Sequence, residues 1–333
     1  MRGTVCCFAL AMAAGMCAAE GPAAMMTVTN EGGVVQVLAP TFRDVAYGPH
    51  PKQVIHFWKA ESEKPAPLLV FIHGGGWTGG SRTDRRFCGF YQEFLRAGIS
   101  VASVEYRFIQ EAAADGTVPP VKVCLRDAAR AIQFIRSKAS EWHLDKTRVA
   151  LSGGSAGACS SLWLAFHDDL ADPASADPVA RESTRVLCVA VAIAQTTLDP
   201  QQMREWTPNS TYGGHAFGFK TDRAKKLSAF ETYLAGREQI LPWIAEYSPY
   251  ALVTKNDPPV YLWYGSKPEM GQPAKDPTHT ANFGVKLQER CKAVGVPCEL
   301  NYPGAPDVTH PTVASYLIAM LKGSPARELK SRL

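Results

Sequence analysis

The sequence predicts an α/β protein, with a mostly parallel central sheet and helices on both faces. Three observations carry that prediction. Near-continuous apolar runs at 68–72, 99–104, 186–194 and 260–264 read as strands buried on both sides. Between them lie stretches of helical periodicity, above all 121–142, where Val123, Leu125, Ala128, Ala131, Ile132 and Ile135 recur at helical spacing. Two glycine-rich turns stand where a strand run breaks off, His73-Gly74-Gly75-Gly76-Trp77 and Gly153-Gly154-Ser155-Ala156-Gly157. Strands alternating with helices in this way build a single layered sheet.

Composition narrows the class. With 333 residues, 46% hydrophobic and 20% charged, the chain is neither disordered nor a coiled coil. Lys and Arg number 35 against 31 acidic residues, a net charge of +4, and no dense basic cluster accompanies it. Nucleic acid is therefore not an expected partner. Met1-Arg2, the small apolar stretch 4–16 and Cys17-Ala18-Ala19 before Glu20 have the pattern of a secretory signal. The expected division is a signal peptide at 1–19 and one domain at 20–333, exported to the periplasm or beyond the cell. The apolar run is shorter than the roughly 20 residues of a membrane span. Cleavage removes Cys6, Cys7 and Cys17. Of the remaining cysteines, Cys291 and Cys298 are the favoured disulfide pair, while Cys124 and Cys159 read as buried thiols. No CxxC pair or His-rich tract suggests a metal.

Along the chain, 34–38 and 54–58 read as short antiparallel strands. The run 68–72 is the first central strand, 87–97 a helix, and 99–104 a strand ending in Glu105-Tyr106-Arg107. The amphipathic segment 121–142 follows, then a strand at 148–151 and a helix at 158–166. Residues 195–251 lack strand signals and carry Trp206 and Trp243, so they read as a helical cap inserted over the end of the sheet. A strand at 260–264, a helix at 282–293, a strand at 297–302 and a helix at 312–321 close the domain.

The two glycine motifs carry the chemistry. Gly153-Gly154-Ser155-Ala156-Gly157 fits G-x-S-x-G between a strand and a helix, a turn that lifts a serine hydroxyl above the sheet. The helix start behind it offers the Ala156 N–H and positive partial charge to a developing oxyanion. The three glycines after His73 let backbone N–H groups converge on one point. His73 itself reads as a brace for its loop, and Trp77 as core or pocket wall. A nucleophilic serine needs a base and an orienting carboxylate, following it in the order acid, then histidine. Of the histidines that follow Ser155, the candidates for the base are His215, His279 and His310. His310, in the loop after the last strand, is the expected base; His215 falls in the cap, and His279 opens a helix too early. Asp276 is the expected acid, with Glu269 as the alternative; Asp307 reads as a turn residue. Asp127 on its helix reads as an ion-pair partner of a nearby arginine, and Glu105-Tyr106-Arg107 as a brace for the His73 loop.

With both glycine motifs in place, the chain resembles the α/β-hydrolase esterases and lipases, and in particular the HGGGW group. That group includes the hormone-sensitive-lipase-like esterases and the bacterial feruloyl-esterase-like (BD-FAE) enzymes. The resemblance covers about residues 68–321 and rests on His73–Trp77, Glu105-Tyr106-Arg107 and Gly153–Gly157. It implies an oxyanion hole from Gly75, Gly76 and Ala156, and a triad of Ser155, Asp276 and His310. Two departures stand out: a longer acid loop after Gly265, and Pro311 behind the histidine where relatives often carry glycine.

The expected activity is serine carboxylester hydrolysis through an acyl-enzyme, with no cofactor. The resemblance and the export signal imply a small-molecule or carbohydrate ester as substrate, acylated sugars or aryl esters among them. An amide-cleaving hydrolase of peptidase or arylformamidase type, and a catalytically silent binding protein, remain alternatives on the same fold.

Overall fold

The computed structural model describes residues 25–30 and 33–323. The secretory-signal segment, with Cys6, Cys7 and Cys17, lies outside the described residues. Near the start of the chain, β1 (Met25–Asn30) and β2 (Gly33–Leu38) form an antiparallel hairpin with Met25 opposite Leu38. From Pro40 onward the chain forms a second unit.

This second unit is built on an eight-stranded sheet. Its strands are β3 (Phe42–Ala46), β4 (Val54–Trp58), β5 (Ala66–Ile72), β6 (Ser100–Val104), β7 (Leu144–Gly154), β8 (Cys188–Ala192), β9 (Val260–Trp263) and β10 (Cys298–Asn301). They lie in the order β10-β9-β8-β7-β5-β6-β4-β3. The six strands from β10 to β6 run parallel; β4 is antiparallel to β6, and β3 to β4. Every residue of β5 and β6 is buried, which requires helices on both faces of the sheet. The helix Ala156–Phe166 packs on β7 and β8 and against Val121–Ser137, while Val313–Lys322 packs against Cys88–Arg96.

The expected strands at 34–38 and 54–58 exist and are antiparallel, but to β1 and to β3 and β6 respectively. β3, with its outward-facing residues, had no apolar run to announce it. The single helix read over 121–142 is two, Val121–Ser137 and Ala139–Trp142, and His143 in the left-handed conformation closes the second. Asp127 is bridged by Arg107, whose Nε and a terminal nitrogen donate over 2.9 and 2.7 Å, and it accepts from Gln53 at 2.8 Å. That is the ion-pair role read from the sequence.

The favoured disulfide is not formed. Cys291 and Cys298 are free thiols, as are Cys88, Cys124, Cys159 and Cys188. The two are nonetheless neighbours: a hydrogen bond to Cys291, then burial, pushes the Cys298 thiol well up. The helix-to-strand turn brings them together, and a thiol contact occupies the place of the bond.

Between β8 and β9 the chain runs through the helices Pro200–Trp206, Ala229–Ala235, Leu241–Tyr247 and Pro249–Leu252, with no sheet strand among them. Asp199 ties this segment together. Its carboxylate caps Gln201 at 2.9 Å and takes a two-pronged bond from Arg237 at 2.8 and 2.7 Å. The paired donors of a guanidinium suit a buried carboxylate in this way.

Candidate active site

Ser155 sits between β7 and the helix Ala156–Phe166 with φ of 53° and ψ of −121°. That backbone is unfavourable for a residue with a Cβ and persists only where its surroundings enforce it. They do so here through close approach. A Cβ on Gly153 would stand 2.5 Å from the Ile72 carbonyl oxygen, and one on Gly157 would stand 2.1 Å from the same atom. The end of β5 thus passes directly over the serine turn, and both flanking positions need glycine.

That crossing also sets the glycine loop against the serine. A Cβ on Gly74 would lie 3.4 Å from the Ser155 Cβ. Two carbonyls of the loop are pinned. The Gly74 oxygen lies 2.8 Å from His73 Nδ1, and the Gly75 oxygen accepts from the N–H groups of Thr78 and Gly79 at 3.0 and 3.2 Å. A peptide's N–H points opposite its carbonyl. Fixing these two carbonyls therefore fixes the direction of the Gly75 and Gly76 N–H groups. Neither they nor the Ala156 N–H has an acceptor among the described residues.

His73 braces this loop from beneath, as read from the sequence. Its Nε2 lies 2.9 Å from Glu105 Oε1, and the Tyr106 hydroxyl donates to the His73 carbonyl at 2.9 Å. Burial raises the Glu105 carboxyl, but hydrogen bonds and charge from His73 and Arg82 outweigh it and hold it below its ordinary value. Trp77 is fully buried and donates to Ser160 at 3.0 Å. From the inserted segment, His215 Nε2 reaches the Gly76 carbonyl at 3.0 Å, and burial lowers this imidazole's pKa. The Tyr212 hydroxyl is buried beside Gly76 with no partner among the described residues.

The imidazole against the Ser155 hydroxyl is that of His279. Ser155 Oγ lies 2.9 Å from His279 Nε2, and His279 Nδ1 lies 2.8 Å from Asp276 Oδ2. The other oxygen of Asp276 accepts the backbone N–H groups of Thr278 and His279 at 3.1 and 3.3 Å. One short turn therefore holds both the carboxylate and the ring. Gln195 fixes it from the side, donating to the Thr278 carbonyl at 2.7 Å. Burial pushes the Asp276 carboxyl up, but the His279 ring and the backbone donors together hold it below its ordinary value. A hydroxyl, imidazole and carboxylate in this chain can move a proton off the serine and hold the ring's tautomer.

The expectation for His310 is corrected by this geometry. Its Nδ1 lies 2.7 Å from Glu299 Oε2, its backbone N–H donates to Glu299 Oε1 at 2.6 Å, and its carbonyl accepts from Tyr261 at 2.9 Å. Glu299 on β10 captures the ring, and no bond joins it to Ser155. Asp276 lies beside His279, 2.8 Å from its Nδ1. Glu269 is anchored to Asn282 through its backbone N–H, and its carboxylate meets neither histidine. Sequence reasoning passed over His279 for lying close to a helix. The available signal was the Asp-Pro-Thr-His spacing, in which one aspartate can cap the turn and bond the ring it ends in.

Comparison with known proteins fits this architecture. The chain is 31% identical over 162 residues to "Probable carboxylesterase 1" of Arabidopsis thaliana, covering 43% of this chain and 46% of that one. It is 24% identical over 229 residues to "Esterase LipC" of Mycobacterium tuberculosis, covering 68% of this chain and 50% of that one. The chain thus spans about half the length of these curated relatives. Among solved structures, an acetyl ester-xyloside bifunctional hydrolase from Caldicellulosiruptor lactoaceticus matches 84% of this chain and 85% of its own with a TM-score of 0.55, at 21% identity. The fold is that of the α/β-hydrolases. The sequence profile of the BD-FAE family matches residues 55–275, which takes in the glycine loop and the serine turn and stops one residue before Asp276. On that match, the chain belongs to the BD-FAE family.

Proposed function

We propose that this protein is an exported serine carboxylesterase acting on acylated carbohydrates, with Ser155 as nucleophile, His279 as base and Asp276 as the orienting acid. The observation that carries the reading is the unbroken chain from Ser155 through His279 to Asp276, set against a glycine loop with fixed N–H groups. His279 takes the Ser155 proton as the oxygen attacks the ester carbonyl. The N–H groups of Gly75, Gly76 and Ala156 receive the oxyanion. Each such donor contributes about 3–4 kcal/mol in comparable sites. The tetrahedral intermediate collapses as His279 protonates the departing alcohol, leaving an acyl-serine, and water attacks it with the same ring as base. The esterase names of the curated relatives support the ester over the amide, and the acetyl ester-xyloside hydrolase supports a sugar ester as substrate. Among the described residues no helix is long and apolar enough to cross a membrane.

The test is fluorophosphonate labelling and turnover of p-nitrophenyl acetate by the mature chain beside Ser155→Ala. Labelling and turnover in the wild type, both absent from the variant, are expected. A folded wild type that neither labels nor turns over overturns the reading.

A further inference from the structure

Outside the triad, the loop expected to deliver the base does something else. It walls an open cleft of about 420 Å³ lined by Trp263, Asn301, Tyr302, Gly304, Val308 and Pro311. That volume lies within the roughly 300–1,000 Å³ of small-molecule sites. The cleft stands at the C-terminal ends of β9 and β10, the edge of the sheet that carries the serine turn. Trp263, the last residue of β9, pairs with Ala192 of β8, which in turn pairs with Gly154. Two strand spacings, about 10 Å, therefore separate Trp263 from the residue before the nucleophile.

The chemistry of the lining is mixed in a particular way. Trp263 ends a strand of otherwise buried residues yet is 38% exposed, and it lines the cleft. Val308 is 37% exposed on the facing loop. The Asn301 amide donates to the Tyr261 hydroxyl at 3.0 Å and the Pro311 carbonyl at 3.1 Å. With both amide hydrogens engaged, its Oδ1 is left as an acceptor. At the rim, the Lys267 Nζ would lie 3.7 Å from a Cβ on Gly304, and it has no ion-pair partner among the described residues. A partly exposed aromatic side chain, an amide acceptor and an ammonium donor suit a pyranose ring. Its C–H face covers the indole, and its hydroxyls meet the polar groups.

We propose that this cleft is a sugar subsite, holding a pyranose residue next to the acylated one whose ester meets Ser155. This rests on the esterase reading above and deepens it to an oligosaccharide substrate. The experiment compares kcat/KM on acetylated xylo-oligosaccharides with kcat/KM on p-nitrophenyl acetate, for wild type, Trp263→Ala and Trp263→Phe. The ratio is expected to fall about tenfold in Trp263→Ala and to be largely restored in Trp263→Phe, with the loss in KM rather than kcat. Equal ratios in wild type and Trp263→Ala overturn the subsite while leaving the esterase intact. Should the alanine variant not fold, competitive inhibition of wild-type p-nitrophenyl acetate turnover by the deacetylated oligosaccharide decides: inhibition supports the subsite, and none overturns it. If the wild type turns over no ester at all, the esterase reading has failed. Quenching of tryptophan fluorescence by the deacetylated oligosaccharide then reads the cleft alone, and its absence overturns the subsite too.

Discussion

Two histidine–carboxylate pairs stand at the same edge of the sheet and differ in one respect. His279 and Asp276 are joined at 2.8 Å, His310 and Glu299 at 2.7 Å, both through the ring Nδ1. The far nitrogen of His279 meets Ser155, whereas His310 has no such partner among the described residues and stands edge-to-face with Tyr316. A paired carboxylate orients an imidazole equally well in a loop anchor and in a catalytic site. Reach to Ser155 separates the two, and reach depends on where the loop starts. The Asp276 turn leaves β9, two strands from the serine, while the His310 loop leaves β10, one strand further out.

The comparison breaks most sharply at the rings. His279→Ala should lower kcat on p-nitrophenyl acetate about 10⁴–10⁶-fold. The corresponding loss in His310→Ala should be smaller by at least about 10³-fold. Steady-state kinetics on the two purified variants measures it, and the reverse order would return the base to the outer loop. Next comes the acid. Asp276→Asn keeps the shape of the turn but favours the wrong tautomer, and should cost about 10³–10⁴-fold in kcat. Glu269→Gln, changed as a control, should stay far above it in the same assay.

Another histidine–carboxylate pair, His73 with Glu105, sharpens the contrast through stability. Glu105 is buried, and its carboxyl is held below its ordinary value in the folded state. A depressed carboxyl stabilises the fold above its unfolded pKa and loses that contribution as pH falls through the folded value. Glu105→Gln should therefore cost about 1–3 kcal/mol at pH 7. The gap from wild type should close on acidification below about pH 4, read by urea unfolding across pH. The smallest effect is expected at Glu299→Gln. This partly exposed pair should contribute about 1 kcal/mol or less, measured by the same unfolding series.

The parts of the site legible in the sequence were those set by backbone geometry. Gly153 and Gly157 are glycines because β5 crosses the serine turn, and the crossing leaves its mark as letters at fixed spacing. The His73 loop and the Glu105-Tyr106-Arg107 brace were legible for the same reason. β3 and the break at Lys138 were not, because an exposed edge strand and a helix that restarts within two residues leave little trace in hydrophobic pattern. His310 was misread because strand order predicts which loop follows which strand but not which side chain captures which. Glu299, two positions into β10, took the ring.

By itself, then, the sequence determined the alternation of strands and helices, the serine at its strained turn and the glycine loop before it. These follow from local periodicity and from steric demands that only glycine meets. The tertiary structure alone decided which of three candidate histidines reaches Ser155, that Cys291 and Cys298 touch as thiols, and that Trp263 is left partly exposed. Those depend on distances between loops far apart in the chain, fixed by the order of strands in the sheet and by which polar partners lie within hydrogen-bonding reach.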